Sequence, residues 1–161
     1  MTDLYHEDVY AWAREQAEIV RARRLDALDR AHVAEELDDI ADGIRSAVRT
    51  SLRRIVEYFL YLEYALTRQQ RAGWMAMVID HRQRIADRLD DSPSLRRELP
   101  ALLERVWPGA RALAAHMVSA CDWQDPKRLP EACPYTLEQI LEESWQPESR
   151  YDYEELDPLP F

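Results

Sequence analysis

From Val33 to Leu66 the apolar residues Val33, Leu37, Ile40, Ile44, Val48, Leu52, Ile55, Phe59, Leu62 and Leu66 follow one another at steps of three or four. That spacing lines up one face of an α-helix and no face of a strand. Asp29 stands where a cap is wanted. A helix of about 38 residues would be about 57 Å long, whereas a compact globule of this chain's length is only about 40 Å across. Either the helix bends or breaks, or one end projects and finds a partner. Gly43 costs about 1 kcal/mol inside a helix and sits beside three consecutive four-residue steps, Ile40 to Leu52, so the expected outcome is a break there. The opposite face carries Asp38, Asp42, Arg45, Arg49, Arg53 and Glu57, mostly as i,i+4 neighbours in solvent. From Ile55 to Leu66 the segment is apolar nearly all round, which predicts a central, buried position.

The other segments share the helical period. A first helix is expected from Asp3 to Arg24, its stripe of Tyr5, Val9, Trp12, Ile19 and Val20 interrupted by Gln16. Another should run from Ala72 to Leu89 with Trp74, Val78, Ile85 and Leu89 inward. Ser92-Pro93 reads as the cap and first residue of the next helix. Its stripe (Leu95, Leu99, Leu102, Val106, Ala110, Leu113, Met117) keeps phase through Pro100 and Pro108, which argues for one helix kinked at Pro108. Cys121 to Pro134, with three prolines, reads as a loop. Thr136 and Gln139 form a capping box with Tyr135 and Ile140 at the staple positions, so a short helix should follow to about Trp145. No strand pattern and no internal repeat appear. The expected fold is all-α: a single-domain bundle of four to five helices around a long, bent central helix, with no β-sheet. It should occupy residues 1–148, leaving 149–161 as an acidic, flexible tail.

Charge and composition remove several function classes. No stretch of about 18 apolar residues occurs, and the start lacks the basic-then-apolar pattern of a signal peptide. A cytoplasmic protein with no membrane role is the expectation, and Cys121 and Cys133 should be reduced thiols. The formal charge of −10 is uneven: residues 136–161 carry eight carboxylates against Arg150 alone, and the rest carries 23 acids against 20 bases. Such a body offers no general attraction to nucleic acid.

Several separated segments resemble a known family. They are Leu4-Tyr5-His6-Glu7-Asp8-Val9-Tyr10-Ala11-Trp12, Arg23-Arg24-Leu25-Asp26-Ala27-Leu28-Asp29 leading into Val33-Ala34-Glu35-Glu36-Leu37, Ser92-Pro93-Ser94-Leu95, and Cys133-Pro134-Tyr135-Thr136-Leu137-Glu138-Gln139-Ile140-Leu141. In order and spacing they resemble the bacterial family known as domain of unknown function 29, over roughly residues 4–148. The resemblance implies a compact helical domain without an established activity, and it supplies no catalytic or binding residues. Trp107-Pro108-Gly109 departs from the family's uninterrupted helix, and the chain after Ser149 lies outside the likeness.

The best site-like cluster is Asp29, His32, Glu35 and Glu36 at the start of the long segment. His32 and Glu36, four apart, both reach toward one point, the spacing of a metal half-site in a helical bundle, with Glu35 beside them. Against that, Asp29 serves equally as a cap, and acids suit the first turns of any helix. Neither His81 nor His116 has the acid partner that a second half-site needs. His81, on the stripe between Val78 and Ile85, reads as a core residue with one hydrogen bond. Arg45, Arg49, Arg53, Arg82, Arg84 and Arg88 form a candidate basic patch, but Asp38, Asp42, Glu57, Asp80 and Asp87 are interleaved, so a neutralised, solvated face is expected. No Gly-rich phosphate loop, Ser-His-Asp order or zinc motif occurs, and no cofactor or catalytic residue is assigned. The leading expectation is a helical protein-interaction module, a homo-oligomer or an adaptor. The rival is a metal- or small-ligand-binding protein or enzyme with its site between helices near His32 and Glu36.

Overall fold

In the computed structural model the long apolar stripe forms one unbroken helix, α3, from Arg30 to Tyr64. Residues 4–64, 70–120 and 129–151 are described. Gly43 does not break α3, which corrects the expectation of two pieces; a Cβ placed there would meet nothing within 4 Å. The helix therefore extends for about 52 Å. A glycine's cost of about 1 kcal/mol is small beside the hydrogen bonds and side-chain packing on either side of it. Leu66 lies outside the described residues.

Five further helices complete the described chain: α1 (Leu4–Glu7), α2 (Val9–Arg21), α4 (Arg71–Asp91), α5 (Leu99–Ala120) and α6 (Leu137–Leu141), with single 3₁₀ turns at Leu25–Ala27 and Pro93–Arg97. No strand occurs among the described residues, so the fold is all-α as expected. The chain divides into two compact units, Met1–Ile44 and Arg45–Phe161.

In the first unit the expected single helix is two. Asp8 adopts an extended conformation and accepts the Ala11 N–H at 2.9 Å, capping α2 and ending α1. At the other end Arg23 takes the left-handed conformation (φ 56°). Arg24 N–H then reaches Ile19 O and Arg23 N–H reaches Val20 O, each at 3.0 Å. These are the two bonds of a Schellman ending, which turns the chain toward α3.

The core of the second unit is built on the back of α3. Val48, Leu52, Ile55, Val56, Phe59, Leu60 and Leu62 are fully buried, with Val78, Ile85 and Leu89 of α4 and Leu102, Val106, Ala110 and Ala114 of α5. The apolar-all-round stretch is thus buried as its composition requires. Pro93 begins a 3₁₀ turn, not the helix proper, and Ser92 caps it with no side-chain bond. Pro100 falls in the first turn of α5, where no N–H is required, and Pro108 lies inside that helix.

Two charged residues expected on solvated faces are buried. Glu57 is 1% exposed and receives Arg53 Nε at 2.7 Å and Arg54 Nη1 at 2.9 Å. Arg82 is 5% exposed and makes no part of a basic patch. Its guanidinium donates to the carbonyls of Gln139, Ile140, Glu143 and Trp145 at 2.8–3.0 Å. Those are carbonyls at the end of α6 and just beyond it, which have no partner within the helix. Arg82 therefore stops α6 at Leu141, four residues short of the expected end, while the capping box forms at its start: Thr136 N–H to Gln139 at 2.9 Å and Gln139 N–H to Thr136 at 3.2 Å.

Arg82→Ala is expected to destabilise the protein by roughly 3 kcal/mol, because buried carbonyls lose a charged donor. Arg82→Lys should recover little of this, since an ammonium cannot span the same four oxygens. Urea unfolding of the three proteins checks it; a lysine variant as stable as the original would contradict it.

Candidate functional site

The first unit is held together by a knot of aromatic and polar side chains where α1, α2 and α3 meet. Trp12, Gln16 and Ile19 are its buried residues on α2. Gln16, which interrupts the apolar stripe, holds the start of α3 in place, because its side-chain oxygen accepts the Asp29 N–H at 2.9 Å. Asp29 in turn accepts the His32 N–H through Oδ1 at 3.3 Å, as an N-cap does. Its Oδ2 takes the Trp12 indole N–H at 3.2 Å and lies 2.7 Å from His32 Nδ1. These bonds, led by the one from His32, hold the Asp29 carboxyl below its ordinary value of 3.8.

His32 is stacked under Tyr5, ring centres 3.9 Å apart and planes 20° from parallel. Tyr5 also meets the Trp12 ring edge-on at 4.9 Å, and its hydroxyl donates to Glu36 Oε1 at 3.0 Å. That hydrogen bond is the main reason the Tyr5 phenol is pushed up to about 12. Of the residues with metal-ligand spacing, His32 and Glu36 thus share a face, with Tyr5 bridging them, and Glu35 is exposed. Among the described residues no group of three His, Cys, Asp or Glu is arranged to hold a metal ion. Chemically the knot uses both Asp29 oxygens to fix the start of α3 against α2. Tyr5 could be placed on the stripe of the first helix, but no spacing rule shows that it would lie over His32.

Beside the knot runs an open, mainly apolar groove of about 370 Å³ between α2 and α3. Trp12, Ala13, Gln16, Ala17, Val20 and Arg21 of α2 line one side and Val33, Glu36 and Leu37 of α3 the other. Val9, Tyr10, Val20, Leu25, Leu37 and Ile40 of this unit are all at least half exposed. Leu37 and Ile40, at 61% and 60%, belong to the very stripe whose continuation is fully buried.

The remaining candidates resolve into structural pairs. His81 is half-buried, its Nδ1 3.4 Å from Ser51 Oγ and its ring facing Tyr58, and burial lowers its pKa. Arg84 pairs with Asp80 at 2.7 Å, as the interleaved charges suggested, whereas Arg45 pairs with Glu98 at 2.6 Å, an acid outside that set. Cys133 is a free, half-buried thiol, and Cys121 lies outside the described residues.

Fold and face together define an all-helical domain whose first two long helices leave an apolar groove open. The chain belongs to the family described as domain of unknown function DUF29, whose model matches residues 4–146 and so spans both units. No match is found among curated proteins or among solved structures.

Because the Asp29 carboxyl is held below 3.8, its contribution to stability is complete above that pH and is lost as pH falls through the lower, folded value. Acid should therefore release the Trp12 indole from Asp29, moving the Trp12 indole N–H resonance as pH is lowered below about 4. In Asp29→Asn that acid-dependent movement should vanish. The same titration in both proteins would contradict the assignment.

Proposed function

We propose that this chain is a non-catalytic helical interaction module whose docking face is the α2–α3 groove of the first unit. One observation carries the reading: a stripe that the sequence continues without change from Val33 to Leu62 is buried at its far end and open at Leu37 and Ile40. Apolar side chains at that density on one face mark an interaction surface more often than chance exposure does. The knot at Asp29 supports the same view, since it sets the two walls of the groove rigidly and so spares a partner the cost of ordering them. The polar groups of the knot are engaged with one another in holding those walls, which suits a binding face better than a reaction centre.

The test is a photoreactive amino acid placed at Leu37 and, as a control, at Arg14, which is exposed on another side of α2. In the cells that make the protein, light should join the Leu37 form to one discrete partner and leave the Arg14 form unjoined. Leu37→Asp should abolish complex formation while changing folding stability by no more than about 0.5 kcal/mol. No adduct from Leu37, or the same adducts from both positions, would end this reading.

A further inference from the structure

Resting on that docking face, we infer that its occupant is a cationic amphipathic helix from a different protein. On α2 the groove runs from Trp12 to Arg21, ten residues and so about 15 Å, which matches between two and three turns of a partner helix laid along it. Its walls offer what a row of aliphatic side chains at i, i+4 and i+7 requires: apolar surface from Trp12, Val20, Val33 and Leu37, with Ala13 and Ala17 allowing close approach.

Charge selects among the helices that would fit. Residues 1–44 contain twelve Asp and Glu against five Arg, a balance of −7. On α3, which forms one wall, Asp38, Asp39 and Asp42 are exposed, and Glu36 lines the groove. The cation that lines the groove, Arg21, is already paired with Glu18 at 2.6 Å. A helix bearing Lys and Arg on either side of its apolar row would meet complementary charge along the whole unit, gaining both encounter rate and register. A second copy of this chain would bring another −7 surface against the first, and an anionic lipid surface would be repelled in the same way.

The experiment uses the full chain and three fluorescent peptides of about 14 residues. One is an amphipathic Leu/Lys helix, one replaces every Lys by Glu, and one scrambles the Leu/Lys sequence so that its apolar row is lost. Fluorescence anisotropy should show the Leu/Lys helix binding at least about tenfold tighter than either of the others. Val20→Asp with Leu37→Asp should weaken that binding about tenfold although it adds two negative charges; circular dichroism confirms that the helices remain. Binding unchanged or tightened in the variant would show attraction to bulk charge and overturn the inference, as would equal binding of the Leu/Glu helix. So would a dimer in sedimentation equilibrium that Leu37→Asp dissolves, because the groove would then hold a second copy. If none of the peptides binds while Leu37 still joins a discrete partner under light, the cationic-helix inference falls and the docking reading stands. If the photochemical adduct is missing, the docking reading itself falls.

Discussion

The back half of α3 is the surface on which the second unit is assembled, and Phe59 lies at its centre. Tyr135 and Trp145 each meet the Phe59 ring edge-on at 5.1 Å, and the Arg82 guanidinium sits 5.4 Å from it. One turn further, Glu63 accepts the Tyr135 hydroxyl at 2.7 Å and the Arg150 Nε at 2.7 Å, while its backbone carbonyl accepts the Arg150 N–H. Burial and the neighbouring carboxylate push the Tyr135 phenol well above its ordinary range, so it stays a neutral donor at any pH the protein meets. The segment from 129 to 151 contains one five-residue helix and would have little order by itself. It is fixed by side chains of other helices that reach its carbonyls: Arg82 from α4, and Trp107 and Arg111 from α5 to Glu131, Pro130 and Leu129.

The front half of the same helix is treated differently. Asp29 and Glu36 tie it to α2 and α1 by hydrogen bonds, His32 stacks on Tyr5, and Val33 is half-buried. Leu37 and Ile40 keep their place on the stripe and are exposed. Two long helices meeting at a polar knot bury only three side chains of α2. A unit of that size gains little from its own core, and this is why an unfilled groove beside it has functional weight.

Periodicity makes the all-α fold, the capping box at Thr136 and the buried stretch beginning at Ile55 legible in the sequence, since each depends on neighbours within a few residues. The continuity of α3 is not legible in that way. Setting one glycine's local cost against a globular diameter predicts a break, but that cost of about 1 kcal/mol is too small to interrupt a helix continued on both sides of Gly43. The buried charges are hidden for a related reason. Val78, Arg82, Ile85 and Leu89 follow steps of four, three and four, so the stripe itself places Arg82 inward, whereas its charge argues for solvent. Gln16 between Trp12 and Ile19 carries the same signal. A polar residue at a core position of a clean stripe foretells a buried hydrogen-bonding role. The acceptors of Arg82 nevertheless lie 57 to 63 residues away and leave no local trace. The pairing of Tyr5 with His32 and Glu36 is likewise beyond spacing rules, because it depends on how α1 folds back after Asp8.

If α3 is one helix packed on all sides at its end and on one side at its start, its amides should open in two classes. Native-state hydrogen exchange along α3 measures this directly. Amides from Val48 to Tyr64 should exchange only with global unfolding, and those from Arg30 to Ile44 through local openings of distinctly lower free energy. Uniform protection from one end of α3 to the other would contradict the account, because the front half would then be as fully packed as the back and no open face would remain.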